Sequence, residues 1–596
     1  MKKKVHEIEI DLSRDSLFDS LGLTRMKESY MTETETSPQE RFAYVSKTFG
    51  SNPEHAQRLY EYASKMWLSY STPVLSFGRS KRGLPISCFL PYLHDSAEGL
   101  VDCLSEVNWL SMLGGGVGIG LGIRSADEKS VGIMPHLRTY DASSLAYRQG
   151  RTRRGSYAAY LGIDHPDIVQ FLEMRKPTGD QNMRCLNLHH GINITDDFMR
   201  IIEKSMLDPT ADDSWELKDP HNGEVRDTVS AKEMWQKILE LRMMTGEPYL
   251  HFIDASNRAM PEFQKKLGLS IKQSNLCSEI ILPTDKERTA VCCLSSVNLE
   301  HYDAWSKNSL FLRDIAEMLD NVLQYFIDNA PSAISRARYS AIRERSIGIG
   351  ALGWHAYLQR NNMPWESVLA VSANHRIFKH IKKRLDAANL ELGKERGEAL
   401  DAQGTGRRFS HMQAIAPNAS SSILMNNTSP SIEPYRANAY RQDTLSGSYL
   451  NKNRFLDALL KTKVKEEELQ DIWSSIIAND GSANHLDILT DDEKEVFKTA
   501  MEIDQRWVVQ HAADRQEYID QAQSLNVFFR PDSSIKYIHA VHFQAWKQGL
   551  KTMYYCRSEK IGKADKVFRK IEREIIKEID LKALAKDDEV CLACEG

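Results

Sequence analysis

Asn275, Cys277 and Glu279 alternate through SNLCSEI, residues 274–280. Successive side chains of a strand point to opposite faces, so in a strand an amide, a thiol and a carboxyl would project side by side into one space. That combination reads as a reaction site rather than a core face, because a carboxyl can take a proton and a thiol can be oxidised. The plain alternative is a half-buried strand with a packed cysteine, since free Cys is among the most buried residue types.

Other segments offer chemistry of their own. Cys88 in ISCFLPYL and Cys292 in TAVCCLSSVNL lie in short apolar runs of strand length on either side of Cys277 in sequence. APNASSS, residues 416–422, presents hydroxyls, small side chains and backbone N–H groups ahead of a helix start, which suits a phosphate, although Ser/Asn-rich loops are common. Tyr554 and Tyr555 are adjacent in KTMYYC, expected to be a strand, where core packing is the ordinary reason for such a pair. Cys591 and Cys594 form the one C-x-x-C, near the C-terminus. No second ligand pair suits zinc, so a redox dithiol on a mobile tail is the better reading. GIGALG at 348–353 matches G-x-G-x-x-G, but charged AIRERS precedes it and no acidic residue follows near 373, so it reads as a tight packing turn. His189 and His190 lack an H-E-x-x-H context.

The elements that must position these residues are those of a large α/β protein. The chain has 596 residues, 41% hydrophobic and 27% charged, enough for several domains or one very large one. A net charge of −5 gives no nucleic-acid footprint. The N-terminus has no apolar signal core, and the most apolar stretch, residues 110–123, is too short and glycine-rich to span a bilayer. Nine scattered cysteines fit a reducing compartment, and a soluble cytoplasmic protein with no membrane contact is expected. Residues 1–70 read as mostly helical. The glycines of LGGGVGIGLGI suggest close approach of another backbone or a ligand. Thr195 or Asp196 caps a helix, and Ile377, Ile381, Leu385, Ala388 and Leu392 form one helical stripe. Strands alternate with helices across 85–560, and residues 450–525 are helical and charged.

SNLCSEI, CCLSSVNL, SCFL, STP, APNASSS, MYY and the terminal cysteine pair stand in the order found in class I ribonucleotide reductase large (α) subunits. The chain resembles that family over nearly its whole length. The resemblance implies a helical N-terminal region (1–84) and a ten-stranded α/β barrel (85–575) made of two antiparallel five-stranded halves. It also implies a helical insertion at about 440–525, a flexible redox tail (576–596), and a finger loop carrying Cys277 into the barrel. The implied activity is reduction of ribonucleoside diphosphates at C2′. By match, Cys277 is the transient thiyl, Glu279 accepts the 3′-hydroxyl proton and Asn275 holds the substrate. Cys88 and Cys292 supply two electrons. Cys293 would point the other way in a strand. Cys591 and Cys594 shuttle electrons from thioredoxin or glutaredoxin. Thr72, Ser87 and Gly116 match substrate contacts, and Ala419, Ser420 and Ser421 the diphosphate loop. Tyr554 and Tyr555 match the pair that conducts a radical from a β subunit, where the dinuclear metal centre resides; no metal or cofactor is expected in this chain. Asp95, Ser96 and Arg124 match the site for a deoxynucleotide or ATP effector near a homodimer contact, and residues 175–185 the loop that reads substrate against effector.

Some features depart from the family pattern. The helical region begins almost at once, so an N-terminal ATP-cone and its on/off site are expected to be lacking. Cys556, Cys103 and Cys185 match no role. An adenosylcobalamin-dependent reductase shares the thiyl strand and cysteine pair but makes its radical on site, which leaves the tyrosine pair unexplained. A non-catalytic nucleotide-binding homologue is at odds with the joint presence of Asn275, Cys277, Glu279, Cys88 and Cys292.

Overall fold

A strand covered on both faces reads as an unbroken apolar run, and Ala290–Asn298 is one: all nine residues are buried. It lies inside a curled sheet, paired on both sides, in the computed structural model, which describes residues 2–79, 83–147, 156–444 and 447–558. In chain order the strands that matter are β1 (Cys88–Leu90), β2 (Gly116–Gly122), β3 (Tyr157–Gly162), β4 (Leu188–Ile194), β5 (Tyr249–Phe252), β6 (Ala290–Asn298), β7 (Ile347–Leu352) and β8 (Thr552–Met553). Their spatial order is β7-β6-β1-β2-β3-β4-β5-β8. Strands β1 to β5 run parallel to one another. Strand β6 is antiparallel to β1 and parallel to β7, and β8 is antiparallel to β5.

Backbone hydrogen bonds continue past β7. Ile347 and Ile349 donate to the carbonyls of His411 and Met412 at 3.0 and 2.8 Å, Ile415 pairs with Gln523, and Tyr554 donates to Leu525 at 2.8 Å. The path returns through β8 to β5, so two five-membered halves face each other as the resemblance implies. The second half ends in irregular segments rather than long strands.

The glycines of β2 explain themselves. Gly116, Gly118, Gly120 and Gly122 alternate with Val117, Ile119 and Leu121, and a Cβ on Gly118 would lie 2.3 Å from the carbonyl oxygen of Ser274. One face of β2 must therefore be bare for residues 273–275 to pass.

One expectation fails. GIGALG is no turn: Ile347–Leu352 is a buried strand parallel to β6, and the charged residues before it finish the helix Ser335–Glu344. A side chain on Gly350 would meet the Ala414 carbonyl at 2.7 Å, so the glycines serve strand packing. The N-terminus opens with an antiparallel hairpin, Lys2–Val5 on Ile8–Asp11, turned through His6 and Glu7 at positive φ, because alternating Ile8 and Ile10 find a core. The insertion begins with a hairpin, Ala439–Thr444 on Gly447–Lys452. Its own apolar core runs from Ala439 to Phe497, whereas Val508, Val509 and Ala512 pack into the main core.

Helices Pro38–Phe49 and Pro53–Ser64 follow the N-terminal hairpin, capped by Ser37 and Asn52 with Pro in the first turn. They are tied to helix Phe311–Asn329 by buried Asp314, which accepts two bonds from Arg58 (2.8 and 2.9 Å) and one from Tyr62 (2.8 Å). His55 and Glu317 beside it complete a His/Asp/Glu group whose carboxylates are already paired, Asp314 with Arg58 and Glu317 with Arg396. Among the described residues no helix is long and apolar enough to cross a membrane.

Candidate active site

SNLCSEI is not a strand. Residues 271–284 cross the barrel as a loop, with Leu276 and Cys277 in a turn and Ser278 at φ 67°. Alternation of polar and apolar residues suggested a ladder, but the partners here are side chains. Ser274 Oγ donates to the Ile280 carbonyl (2.7 Å), and Asn275 Oδ1 accepts from the Ile280 N–H (3.1 Å). Tyr160 of β3 donates to the Asn275 carbonyl (2.6 Å), and Ser524 donates to the Cys277 carbonyl (2.5 Å). The finger loop that the resemblance implies is thus pinned from two walls.

Asn275 and Glu279 nevertheless converge on one thiol, that of Cys88. Asn275 Nδ2 donates to Cys88 Sγ at 3.3 Å, and Cys88 Sγ lies 3.8 Å from Glu279 Oε1. Ser524 Oγ stands 3.1 Å from Glu279 Oε2. Asn275, Cys277 and Glu279 are all buried. Cys88 sits opposite Cys292 in the antiparallel β1/β6 register, so the two thiols form a cross-strand pair. Cys293 points away, toward the Leu319 carbonyl at 3.5 Å. Burial pushes the Glu279 carboxyl up to about 7, against the hydrogen bonds of Asn275, Ser524 and Cys88. Burial, with Cys293 and Cys88 beside it, lifts the Cys292 thiol well above its ordinary value. Cys292 is therefore a protonated thiol at neutral pH.

On its other side Cys277 joins an aromatic cluster with Tyr160, Tyr249 and Tyr554. The tyrosine pair is not within a strand: it bridges β8 and Cys556–Ser558. The ring centroids of Tyr554 and Tyr555 are 4.3 Å apart, and Tyr249 lies 4.7 Å from the first and 5.0 Å from the second. The Tyr555 hydroxyl is 3.4 Å from His189 Nδ1, and the Arg557 guanidinium lies 4.0 Å above its ring. Sequence reasoning missed Tyr249, because EPYLHF reads as an ordinary buried strand.

Ser87 and Gly116 flank Cys88. The Ser87 hydroxyl is buried without a hydrogen-bond partner, and its carbonyl takes the Gly116 N–H at 2.8 Å. Asn418, at φ 54°, opens the short helix Ala419–Leu424, where Ser420 and Ser421 are buried. Ser296 of β6 donates to Asn418 Oδ1 at 3.1 Å. Its register partner Ser69 lies in a strand just before Thr72, whose hydroxyl is 3.2 Å from that of Tyr30. Thr72 and the 419–421 segment thus come to the same edge of β6. Elsewhere, Arg124 Nε donates to Asp95 Oδ2 at 2.7 Å and Ser96 caps helix Ala97–Met112. Cys591 and Cys594 lie outside the described residues.

A barrel with a thiol at the tip of an inner loop, a thiol pair beneath it and a tyrosine stack leading away is the arrangement of a radical reductase. The family described as "Ribonucleotide reductase, barrel domain" matches residues 86–402 and 399–556, and "Ribonucleotide reductase, all-alpha domain" matches 16–83. The ribonucleoside-diphosphate reductase large subunit of Invertebrate iridescent virus 3 is 53% identical, covering 99% of this chain and 100% of its own. That of Invertebrate iridescent virus 6 is 38% identical over 94% of each. The Actinobacillus ureae class Id ribonucleotide reductase alpha subunit superposes with a TM-score of 0.80 at 33% identity, covering 91% of this chain and 97% of that one. The chain belongs to the ribonucleotide reductase large-subunit family.

Proposed function

We propose that this chain is the catalytic subunit of a ribonucleoside-diphosphate reductase and that Cys277 carries the chemistry as a thiyl radical. A ribose C–H bond is too strong for acid–base attack, whereas S–H and C–H bonds are of comparable strength. The Cys277 thiyl takes the 3′-hydrogen, and Glu279 takes the 3′-hydroxyl proton. The 2′-hydroxyl leaves as water. Cys88 and Cys292 give two electrons and two protons and become a disulfide. Cys277 then returns its hydrogen to C3′ and is a thiyl again, and Glu279 returns its proton to the 3′-oxygen. Asn275 and the unpartnered Ser87 hydroxyl hold the substrate, Thr72 and Gly116 line its approach, and Ala419, Ser420 and Ser421 take the diphosphate. The convergence of Asn275 and Glu279 on Cys88, with Cys292 directly across the sheet, carries this reading.

The radical is generated by a dinuclear metal centre in a β partner and reaches Cys277 through Tyr555 and Tyr554. A cobalamin enzyme would need no such stack, which favours the class I reading. Cys591 and Cys594 reduce the buried disulfide by exchange, recharged by thioredoxin or glutaredoxin. Asp95, Ser96 and Arg124 take a deoxynucleotide or ATP effector, and the 175–185 loop transmits the choice. Val101 and Trp109, exposed by 68 and 42% on helix Ala97–Met112, suit a homodimer contact beside that site. The deciding experiment is turnover of ribonucleoside diphosphates by the purified chain with a metal-loaded β subunit, with adenosylcobalamin, or with neither. Activity only with β is expected, and activity with cobalamin alone overturns the class I assignment.

A further inference from the structure

Glu247 is a buried carboxylate that no step of the proposed reaction uses. It accepts from His189 Nδ1 at 2.6 Å, His190 Nδ1 at 3.0 Å and the His190 backbone N–H at 3.1 Å. The Arg175 guanidinium lies 3.5 Å from the oxygen that takes His189. Burial alone would raise its pKa, but Arg175 and the histidines hold it well below the ordinary carboxylate range. An interior anion of this kind persists only while its partners stay in place.

His189 carries the link outward. Its Nδ1 is also 3.4 Å from the Tyr555 hydroxyl, and its ring meets the Tyr555 ring edge-on and stacks with Tyr249. Nδ1 has one in-plane site, so giving its N–H to Glu247 at the shorter distance fixes the plane of the imidazole against which Tyr555 rests. Arg175 carries the link in the other direction. It opens the 175–185 loop and also donates to the carbonyl of Leu186, just past the loop's far end. One guanidinium therefore ties both ends of that loop to Glu247.

We propose that Glu247 is a positioning residue for Tyr555, acting through His189, and that Arg175 makes this positioning depend on the conformation of the 175–185 loop. Radical transfer between aromatic side chains is sensitive to placement, and a misplacement of about 1 Å can cost on the order of a hundredfold in rate. A loop that withdraws Arg175 would loosen the Glu247–His189 pair and with it Tyr555, so the radical would advance only when the loop is in place. The inference rests on the reading of Tyr555 as a radical carrier.

The test uses the holoenzyme with its radical-loaded β partner. Glu247→Gln keeps the shape and removes the charge, Arg175→Ala removes the tie, and Arg175→Lys restores a cation. Substrate-triggered loss of the radical signal is followed spectroscopically, alongside kcat and KM. Glu247→Gln and Arg175→Ala are expected to slow both radical loss and kcat by about tenfold or more with KM within about twofold, and Arg175→Lys to recover part of the loss. If Glu247→Gln unfolds the site, His189→Gln, on a residue at the surface of the cluster, must show the same kcat-only loss. Radical loss and kcat within about twofold of the parent in a folded Glu247→Gln or His189→Gln enzyme overturns the proposal. Tyr555→Phe separates the two levels: an active Tyr555→Phe enzyme overturns the radical reading itself, whereas an inactive one with normal Glu247→Gln kinetics overturns only the role of Glu247.

Discussion

Cys88 and Cys292 face each other across the antiparallel β1/β6 pair, each at the same rung of the ladder. Directly opposed residues in such a pair have Cα atoms about 4.5–5.5 Å apart, inside the range a disulfide requires. The two thiols can therefore become a disulfide without moving the sheet. Pre-reduced enzyme given substrate and β subunit but no external reductant should stop after one turnover, with a Cys88–Cys292 bridge found by peptide mapping. Cys293→Ser should keep most of its activity, because that thiol faces the Leu319 carbonyl on the far side of β6. A bridge to Cys293 instead would refute the pairing.

Cys277→Ser should abolish turnover, by at least about a thousandfold, because a hydroxyl does not form an oxygen radical at an accessible energy. Diphosphate binding should stay within about twofold, since Cys277 lies in the tyrosine cluster and neither Ser87 nor the 419–421 segment depends on it. Equilibrium binding of a ribonucleoside diphosphate, measured beside product formation, separates the two. Deoxynucleotide formed by this variant at more than about a thousandth of the parent rate sinks the assignment.

Much of this site was legible in the residues, and the failures have physical causes. Asn275, Cys277 and Glu279 stood out by type, yet their alternation suggested a strand that the chain does not form. Ser278 at positive φ and the side-chain clamps from Tyr160 and Ser524 make a loop, and neither clamp is near in sequence. The close approach at β2 was readable from its alternating glycines, and at Gly118 and Gly120 the approaching group is the 273–275 loop. The same residue type misled at 348–353, where the charges before β7 belong to the end of a helix. His189 and His190 were noticed and left without a role, because their partner Glu247 lies 58 residues on from His189 and meets it only through strand pairing of β4 with β5.

The pKa of Glu279 makes a prediction with a definite sign. Its folded value is raised from 4.5 to about 7 by burial. Below pH 4.5 the carboxyl is neutral in both folded and unfolded chains and costs nothing. As pH rises toward 7 the unfolded chain ionises first, so stability is lost progressively and levels off above the folded value, by roughly 3 kcal/mol in all. Glu279→Gln lacks this term, so its stability advantage over the parent should grow between pH 5 and pH 7 and then stay constant, as read by denaturant titration at each pH. The parent's kcat should rise as pH passes through about 7, because only the ionised carboxylate accepts a proton. An advantage that does not change with pH would show that Glu279 is not held neutral.

The tail cysteines give a prediction that separates chemistry from recharging. Cys591→Ser and Cys594→Ser leave the barrel thiols intact, so one turnover from pre-reduced enzyme should proceed at the parent rate. Thioredoxin-driven multiple turnover should fall by at least about tenfold, because a protein reductant cannot reach a disulfide whose two sulfurs are as buried as Cys88 and Cys292. A small dithiol should restore part of the rate. Thioredoxin-driven rates equal to the parent's would mean that the buried pair is reduced by another route.

Asp95 and Arg124 make the regulatory prediction. Their 2.7 Å bond joins the start of helix Ala97–Met112 to the end of β2, and Ser96 caps the same helix. An effector that hydrogen-bonds Asp95 and pairs its phosphates with Arg124 must compete with that bond, so binding at one end reports to both elements. Arg124→Ala should weaken effector binding by about tenfold or more, consistent with the loss of one charge-assisted contact. It should also flatten the preference among the four diphosphates while leaving the effector-free rate within about twofold. Calorimetric titration of a deoxynucleotide triphosphate, paired with competition assays among the diphosphates, checks both parts. By linkage, the effector should also shift diphosphate affinity by the same factor by which the diphosphate shifts effector affinity. Undiminished effector binding by Arg124→Ala would move the effector away from this pair.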